Sequence, residues 1–316
     1  MRSLEEFGRF YQRQLLPALK DLEARRKALL RRSIAIVAVL VVCVVITAVA
    51  VFPAGLLALV LGGGVAAAVI ASMVAPYRTI FKEAVIRRIV EFIDPSLTYD
   101  PAGYVPQHLY ASSLIFRKQP DRYRGDDLVK GRVGETDIMF CELHTEYETR
   151  HRDSKGHTYT QWHTIFKGLF VVTDFNKNFN GTTVVLPDTA ERVLGPLGQF
   201  FQSLNFGRGE LVKLEDTEFE KLFVVWSDDQ IEARYILSTS LMARLTAFRK
   251  KVGRDIFISF ASSRMFLAIP RSEDLFEPSL TRSLVDFSAI IKYYVDLEMA
   301  LGVVEELNLN RRIWGR

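Results

Sequence analysis

Two cysteines, Cys43 and Cys141, are all that the 316 residues contain. That is too few for a disulfide framework or a multi-cysteine zinc site, and it fits a reducing compartment. Short catalytic signatures are missing too: there is no GxxxxGK[ST] phosphate loop, no GxGxxG, no GxSxG elbow and no HExxH. Cys141 and His144 fall on opposite faces of an expected strand, which disfavours a thiol–imidazole pair. The third absence is the most informative. From residue 33 to residue 77 the chain carries no Asp, Glu, Lys, Arg or His.

This stretch reads as two hydrophobic runs, 33–52 and 56–74, joined by Pro53-Ala54-Gly55. At 1.5 Å per residue each reaches ~30 Å, the hydrocarbon thickness of a bilayer. One continuous helix would bury Pro53 and Gly55 in its interior and overshoot a single bilayer, so a two-span transmembrane helical hairpin is expected, with its turn at 53–55. A soluble core helix is rarely apolar on every face over this length, and a cleaved signal has a shorter core with no second span behind it. Gly62, Gly63 and Gly64 face Ala66, Ala67 and Ala68 at four-residue spacing, a pattern that admits close approach by the first span or by another copy of the chain.

Positive charge flanks both ends of the hairpin. Arg25, Arg26, Lys27, Arg31 and Arg32 precede it, and Arg78, Lys82, Arg87 and Arg88 follow it. Excess Lys/Arg favours the cytoplasmic side, so both termini are expected there, at a bacterial inner (plasma) membrane, with the nine basic residues as candidate contacts for anionic lipid headgroups. Residues 1–32 hold nine Lys/Arg against four Asp/Glu while the whole chain carries +4, leaving the remainder about −1. The basic pI therefore belongs to the membrane-proximal arm, and no nucleic-acid partner is expected. Phe7, Tyr11, Leu15, Ala18 and Leu22 form a helical stripe before the hairpin; Phe81, Val85, Ile89 and Phe92 form another after it. The expected organisation is an amphipathic basic helix over 1–32, the hairpin over 33–77, a juxtamembrane helix over 78–93 and a cytoplasmic domain over 94–316. The two stripes are expected to pack as an antiparallel stalk, the alternative being that they lie on the membrane surface with their basic residues toward headgroups.

Beyond residue 99 the texture changes. Strand-like runs occupy 109–117, 128–133, 138–149, 158–173 and 182–186, separated by polar and glycine-containing turns. A helix is expected to open at Pro187-Asp188 and run toward Phe201. Strands follow at 211–214 and 219–226, then a helix capped by Ser238 or Thr239, a hairpin of 256–260 with 265–269, and a long amphipathic helix over 280–307. Without regular βαβ alternation the fold class is α+β: a mostly antiparallel sheet with a long C-terminal helix.

The strings FKGLFVVTDFNK at 166–177, TVVLPDTAE at 183–191, LVKLEDTEFEKLFVVWSDDQ at 211–230 and EARYIL at 232–237 resemble the bacterial membrane-anchored family known as domain of unknown function 3137. The resemblance extends to most of the chain, including the spans, the DLFEP segment at 274–278 and the amphipathic start. It implies a bacterial membrane-anchored protein and carries no activity or catalytic residues.

Four of the five histidines lie between positions 144 and 163. A hairpin closing symmetrically over 153–156 sets His144 opposite His163 and Glu146 opposite Gln161, with Glu142, His144, Glu146 and Glu148 on one face. His144, His163, Glu142 and Glu146 are thus candidate ligands for a divalent metal, set against a simply polar ribbon face. The acidic strings at 215–220 and 228–232 read as turns or helix starts more readily than as paired catalytic carboxylates. Arg234 is a candidate anion contact or a partner for Glu232 or Asp229, and Gly207-Arg208-Gly209 reads as a flexible turn, with a lipid phosphate contact as the alternative.

The sequence thus points to an integral inner-membrane protein without a cofactor. Its cytoplasmic domain is expected to act as a binding or scaffold module for a protein partner or lipid headgroup. A membrane-tethered metal-assisted hydrolase using the His144/His163 face is one alternative. An accessory subunit of an envelope or transport complex is the other.

Overall fold

The computed structural model describes residues 3–50, 52–152, 156–175, 177–188, 209–307 and 309. Two compact units emerge, Met1–Ile93 with Phe276–Val295, and Asp94–Leu275 with Asp296–Arg316.

The first unit is helical. Helix α1, Leu4–Phe10, starts at a capping box in which Ser3 accepts from the Glu6 N–H and Glu6 reaches back to Ser3. A π turn, Tyr11–Leu15, leads into α2, Leu16–Ala50. Helix α3, Phe52–Phe81, passes through a second π turn, Lys82–Ile86, into α4, Arg87–Ile93. Both long helices are apolar enough to cross a membrane. They pack on one another, and a Cβ at Gly62 would lie 2.6 Å from the Leu40 side chain, so glycine is what allows the helices to close there.

Helix α2 runs to Ala50 and α3 begins at Phe52, so the residues of the expected turn, 53–55, lie within α3. Pro53 sits in the first turn of α3, where its missing N–H costs no helical hydrogen bond and its fixed φ suits the helix.

Burial changes abruptly along these helices. Between residues 34 and 69 the valines, leucines and isoleucines are largely exposed, Val42 at 56% and Val65 at 65%. Outside that stretch the stripes are buried: Phe7, Leu15, Leu19 and Leu22 on one side, Val74, Phe81, Val85 and Ile89 on the other. They meet as an antiparallel pair, with the Phe10 and Phe92 rings stacked at 4.3 Å. A third partner that the sequence did not announce completes the bundle. It is the first part of the last helix, Phe287–Glu306, whose Tyr294 stacks on Phe7 at 4.2 Å and whose Tyr293 meets Phe81 edge-on.

The segment leading to that helix is clamped by buried charge. Glu23 and Arg26 pair at 2.7 Å. Arg26 also donates to the Leu280 carbonyl at 2.5 Å, and Glu23 accepts from the Leu284 N–H at 3.0 Å. Buried Lys82 and half-exposed Arg78 hold Glu277 at 3.1 and 3.0 Å.

The second unit is built on nine strands: β1 Thr98–Asp100, β2 Arg122–Val133, β3 Thr136–Arg152, β4 Thr158–Asp174, β5 Thr183–Pro187, β6 Glu210–Val212, β7 Phe223–Ser227, β8 Phe257–Ala261 and β9 Arg264–Pro270. They form one sheet in the order β1-β2-β3-β4-β9-β8-β5-β7-β6, every neighbouring pair antiparallel. Helices α5 Gln107–Ser112, α6 Thr217–Glu220, α7 Gln230–Ile236, α8 Thr239–Val252 and the part of α9, Phe287–Glu306, from Asp296 onward complete an α+β fold.

Both sheet faces are buried. One carries Cys141, Leu143, Phe170, Phe266 and Ala268 against Leu109 and Tyr110 of α5. On the other, Phe140, Leu169, Val171, Leu267 and Ile269 are equally enclosed. At the β4–β9 pairing Gly168 has φ +145°, and a Cβ there would meet the Ile269 carbonyl oxygen at 2.2 Å. Ser262 and Ser263 both adopt positive φ and turn β8 into β9, as a two-residue hairpin loop requires.

Two expected strands are corrected. Residues 109–117 give way to α5, because Pro106 sets up a helix start and Tyr110 and Leu109 reach the core from one helical face. The run 219–226 is split: Asp216 caps α6 by accepting from the Glu218 and Phe219 N–H groups, and only Phe223–Ser227 is strand. The helix expected from 188 toward 201 lies outside the described residues.

Candidate functional site

The ribbon of β3 and β4 organises the polar chemistry of the second unit. Its last pair is Arg152 with Thr158, so the loop is one residue longer than a symmetric closure over 153–156. A bulge then intervenes: Thr145 pairs with Phe166 and Glu146 with Thr164, leaving Ile165 extra. The bulge lets the adjacent Ile165 and Phe166 both enter the core.

These shifts overturn the expected pairing of His144 with His163. His144 lies opposite Lys167, and His163 lies opposite Tyr147. Because directly opposed residues share a face and successive residues alternate, His144 and Glu146 are on one face and His163 on the other. The four candidate ligands His144, His163, Glu142 and Glu146 therefore do not converge.

On the His144 face, charges alternate across β2, β3 and β4. Glu146 accepts from Arg124 at 2.7 Å and from Arg122 at 3.3 Å, and lies 3.8 Å from His144. Arg122 also stacks 3.7 Å from the Trp162 ring centre. His144 Nε2 meets Thr164 Oγ1 at 3.3 Å. Burial lowers its proton affinity, Glu146 opposes the effect, and Lys167 and Arg124 add to it. Lys167 pairs with Asp274 at 2.8 Å. Each carboxylate named on this face, Glu146 and Asp274, thus has a cation beside it.

Glu142 behaves differently. It is buried opposite Asp126 on β2 and accepts from the Leu275 N–H at 2.7 Å. Burial, with the charges of Asp126, Asp274 and Asp127, pushes its carboxyl up to about 7 although the Leu275 hydrogen bond works against the rise. Oxygens of Asp126, Asp127 and Glu142 lie within 4.8 Å of one another, the one such group of potential metal ligands among the described residues. Sequence reasoning missed Asp126 and Asp127, which reach Glu142 across a register shift in the β2–β3 pairing. Asp127, at φ +60°, also accepts from the Tyr99 hydroxyl. Cys141 is buried beside them, accepts from the Val105 N–H at 3.2 Å, and is held as the thiol by burial.

A cavity of about 590 Å³ opens on the core side of the same strands. Met139, Val172 and Leu109 supply apolar surface, and His108, Lys130 and Arg264 bring polar groups. Such a mixture suits a partner side chain or a small amphipathic ligand.

The remaining candidates are dispersed. Arg25, Lys27, Arg31 and Arg32 are exposed. Arg26 and Lys82 are buried in ion pairs and drop out of lipid contact, because each already neutralises a carboxylate. Arg78 leans on Glu277, Arg87 pairs with Glu83 at 2.5 Å, and Arg88 donates to the Gln14 carbonyl at 3.2 Å. Gly62 and Ala66 face inward, while Gly64, Ala67 and Ala68 are exposed and a Cβ at Gly63 or Gly64 would meet nothing within 4 Å. Asp229 caps α7, and Glu232 accepts from the Asn180 and Gly181 N–H groups at 2.9 and 2.6 Å. Arg234 donates to the Gln230 carbonyl at 2.9 Å in place of the expected carboxylate. Gly209 has φ +84°; Gly207 and Arg208 lie outside the described residues.

Comparison with known proteins gives one family and one distant structure. No curated protein matches the chain. A solved structure described as the mycobacterial trehalose monomycolate transport factor A, TtfA, aligns with 9% identity over 73% of this chain and 96% of that one, with a TM-score of 0.37. At that score the likeness adds nothing to the reading of fold or function. The family model described as a protein of unknown function (DUF3137) matches residues 164–309, from β4 to the end of α9, so the two long apolar helices lie outside the matched region. The resemblance to that family is thus borne out over residues 164–309.

Proposed function

We propose that this protein is a membrane-anchored binding module, without catalytic activity of its own, that holds an antiparallel-sheet unit at the inner face of a bacterial plasma membrane. The observation that carries the reading is the exposure of the apolar side chains between 34 and 69 on helices whose continuations are packed. A bilayer supplies the burial that the chain does not. With basic residues at both ends of the hairpin, the termini face the cytoplasm, and exposed Arg25, Lys27, Arg31 and Arg32 contact anionic headgroups. The partner is a protein segment seated in the cavity floored by Met139 and Val172, in an accessory or scaffolding role.

The enzymatic alternative loses its geometric basis because His144 and His163 point to opposite faces. A photo-crosslinking residue at Lys130, with one at exposed Lys250 as control, tests the binding reading in cells. The expected result is a discrete adduct at Lys130 alone that disappears when Met139→Trp fills the cavity. Equal labelling at both positions would overturn it.

A further inference from the structure

Strands β3 and β4 outrun their neighbours. β2 joins them only as far as Arg122 opposite Glu146, and β9 only as far as Pro270 opposite Gly168. Beyond Glu146 the ribbon continues as two strands to Arg152 and Thr158. Its Tyr147 face carries Tyr147 opposite His163, Thr149 opposite Gln161, and His151 opposite Tyr159.

Two imidazoles are oriented on this face. The His163 ring stacks on Tyr147 with centroids 4.9 Å apart, and the His151 ring stacks on Tyr159 at 5.5 Å. Both Nε2 atoms reach the same hydroxyl: Thr149 Oγ1 lies 3.1 Å from His151 and 2.8 Å from His163. A hydroxyl has one proton to give, so with neutral rings one histidine donates to Oγ1 while the other accepts from it. The hydroxyl thus marks a point that both nitrogens face.

We propose that His151 and His163 form a two-histidine site for a borderline transition-metal cation, Zn²⁺, Ni²⁺ or Cu²⁺. The ion occupies the position that Thr149 Oγ1 now holds between the rings. Neutral imidazole Nε2 is the commonest protein ligand for these ions, and among the described residues of this face there is no hard oxygen cage for Mg²⁺ or Ca²⁺. Metal–nitrogen bonds near 2.0–2.1 Å require the rings to close on the ion, and a turn of Thr149 about χ1 vacates the space. His151 is exposed and His163 only half-buried, so the remaining coordination positions are open to water or to a donor from another molecule. The site is distinct from the face that carries His144 and Glu146.

Calorimetric titration of the untagged full-length chain in detergent with Zn²⁺ and with Cu²⁺ tests the proposal. One ion per chain is expected, with Cu²⁺ bound more tightly than Zn²⁺ as the stability order of these ions requires. His151→Asn or His163→Asn each weakens binding by about tenfold or more, the scale on which metal sites respond to lost support. His144→Asn and Thr149→Val leave affinity within about threefold, since neither supplies a ligand. The Cu²⁺-loaded wild type shows nitrogen hyperfine structure from two imidazoles in its electron paramagnetic resonance spectrum. Binding that survives in the His151→Asn/His163→Asn double variant, no binding by the wild type, or a spectrum without imidazole nitrogen would each overturn the site.

Discussion

Helices α2 and α3 each contain two surfaces of opposite character. From 34 to 69 most of the described aliphatic side chains are exposed, whereas Leu19 and Leu22 at one end and Phe81 and Val85 beyond the other are enclosed. Composition alone would not separate the halves by packing, since both are rich in leucine, valine and alanine. Charge does: the packed half tolerates Glu23, Arg26 and Lys82 because each meets a partner, and the exposed half has none to satisfy. Where the helices pass from packed to exposed apolar surface, ionisable residues stop.

Breaking the comparison at its apolar end carries the largest expected effect. Val42→Arg with Val65→Arg places two cations at mid-helix, each costing about 2.5–3.5 kcal/mol of insertion free energy. The variant is expected to leave the membrane fraction on carbonate extraction; retention at the wild-type level would mean that this surface faces water. Next comes the packed end. Glu23→Gln strips the partner from buried Arg26 and weakens the acceptor for Leu284, with an expected loss of about 3–5 kcal/mol in denaturant unfolding of the detergent-solubilised protein.

Two of the buried carboxylates, Glu23 and Glu142, sharpen the contrast further. Glu23 has a cation beside it and Glu142 has other carboxylates. Since the folded carboxyl of Glu142 titrates near 7 and an ordinary one near 4.3, the folded state holds the extra proton between those values. Stability from the neutral form is complete below the lower value and is lost as pH rises through the upper one. Glu142→Gln should therefore stabilise the protein above pH 7 relative to wild type, and the difference should vanish toward pH 4; an equal difference at both extremes would refute the assignment. The smallest effect belongs to Glu83→Gln, which breaks an exposed pair with Arg87 and should shift unfolding by less than about 1 kcal/mol.

What the sequence revealed depended on the range of the interaction. The apolar hairpin, the terminal stripes and most strands follow from local periodicity, and the helix start at Ser238 follows from capping chemistry. Register did not. The ribbon loop and the bulge at Ile165 are settled by the gain from burying Ile165 and Phe166 together, and no local residue type announces that. The same limit hid the pairing of His151 with His163 around Thr149, although the clustering of four histidines between 144 and 163 was a visible signal. Contacts from Glu23 to Leu284 and from Asp126 to Glu142 depend on tertiary placement, so adjacency in sequence had nothing to offer. The strand-like run at 109–117 misled because a short helix burying one face can carry the same aromatic and branched residues as a strand.

Cys43 offers the most direct test of the division within α2. It is exposed on the protein surface, in the middle of the apolar half, while Cys141 is buried in the sheet unit. Labelling intact membranes with a water-soluble maleimide, with Ala24→Cys as an exposed reference on the packed half, separates lipid from water. The account predicts that Ala24→Cys reacts readily and Cys43 reacts only after the bilayer is dissolved by a denaturing detergent. Labelling of Cys43 in intact membranes at the rate of Ala24→Cys would contradict it.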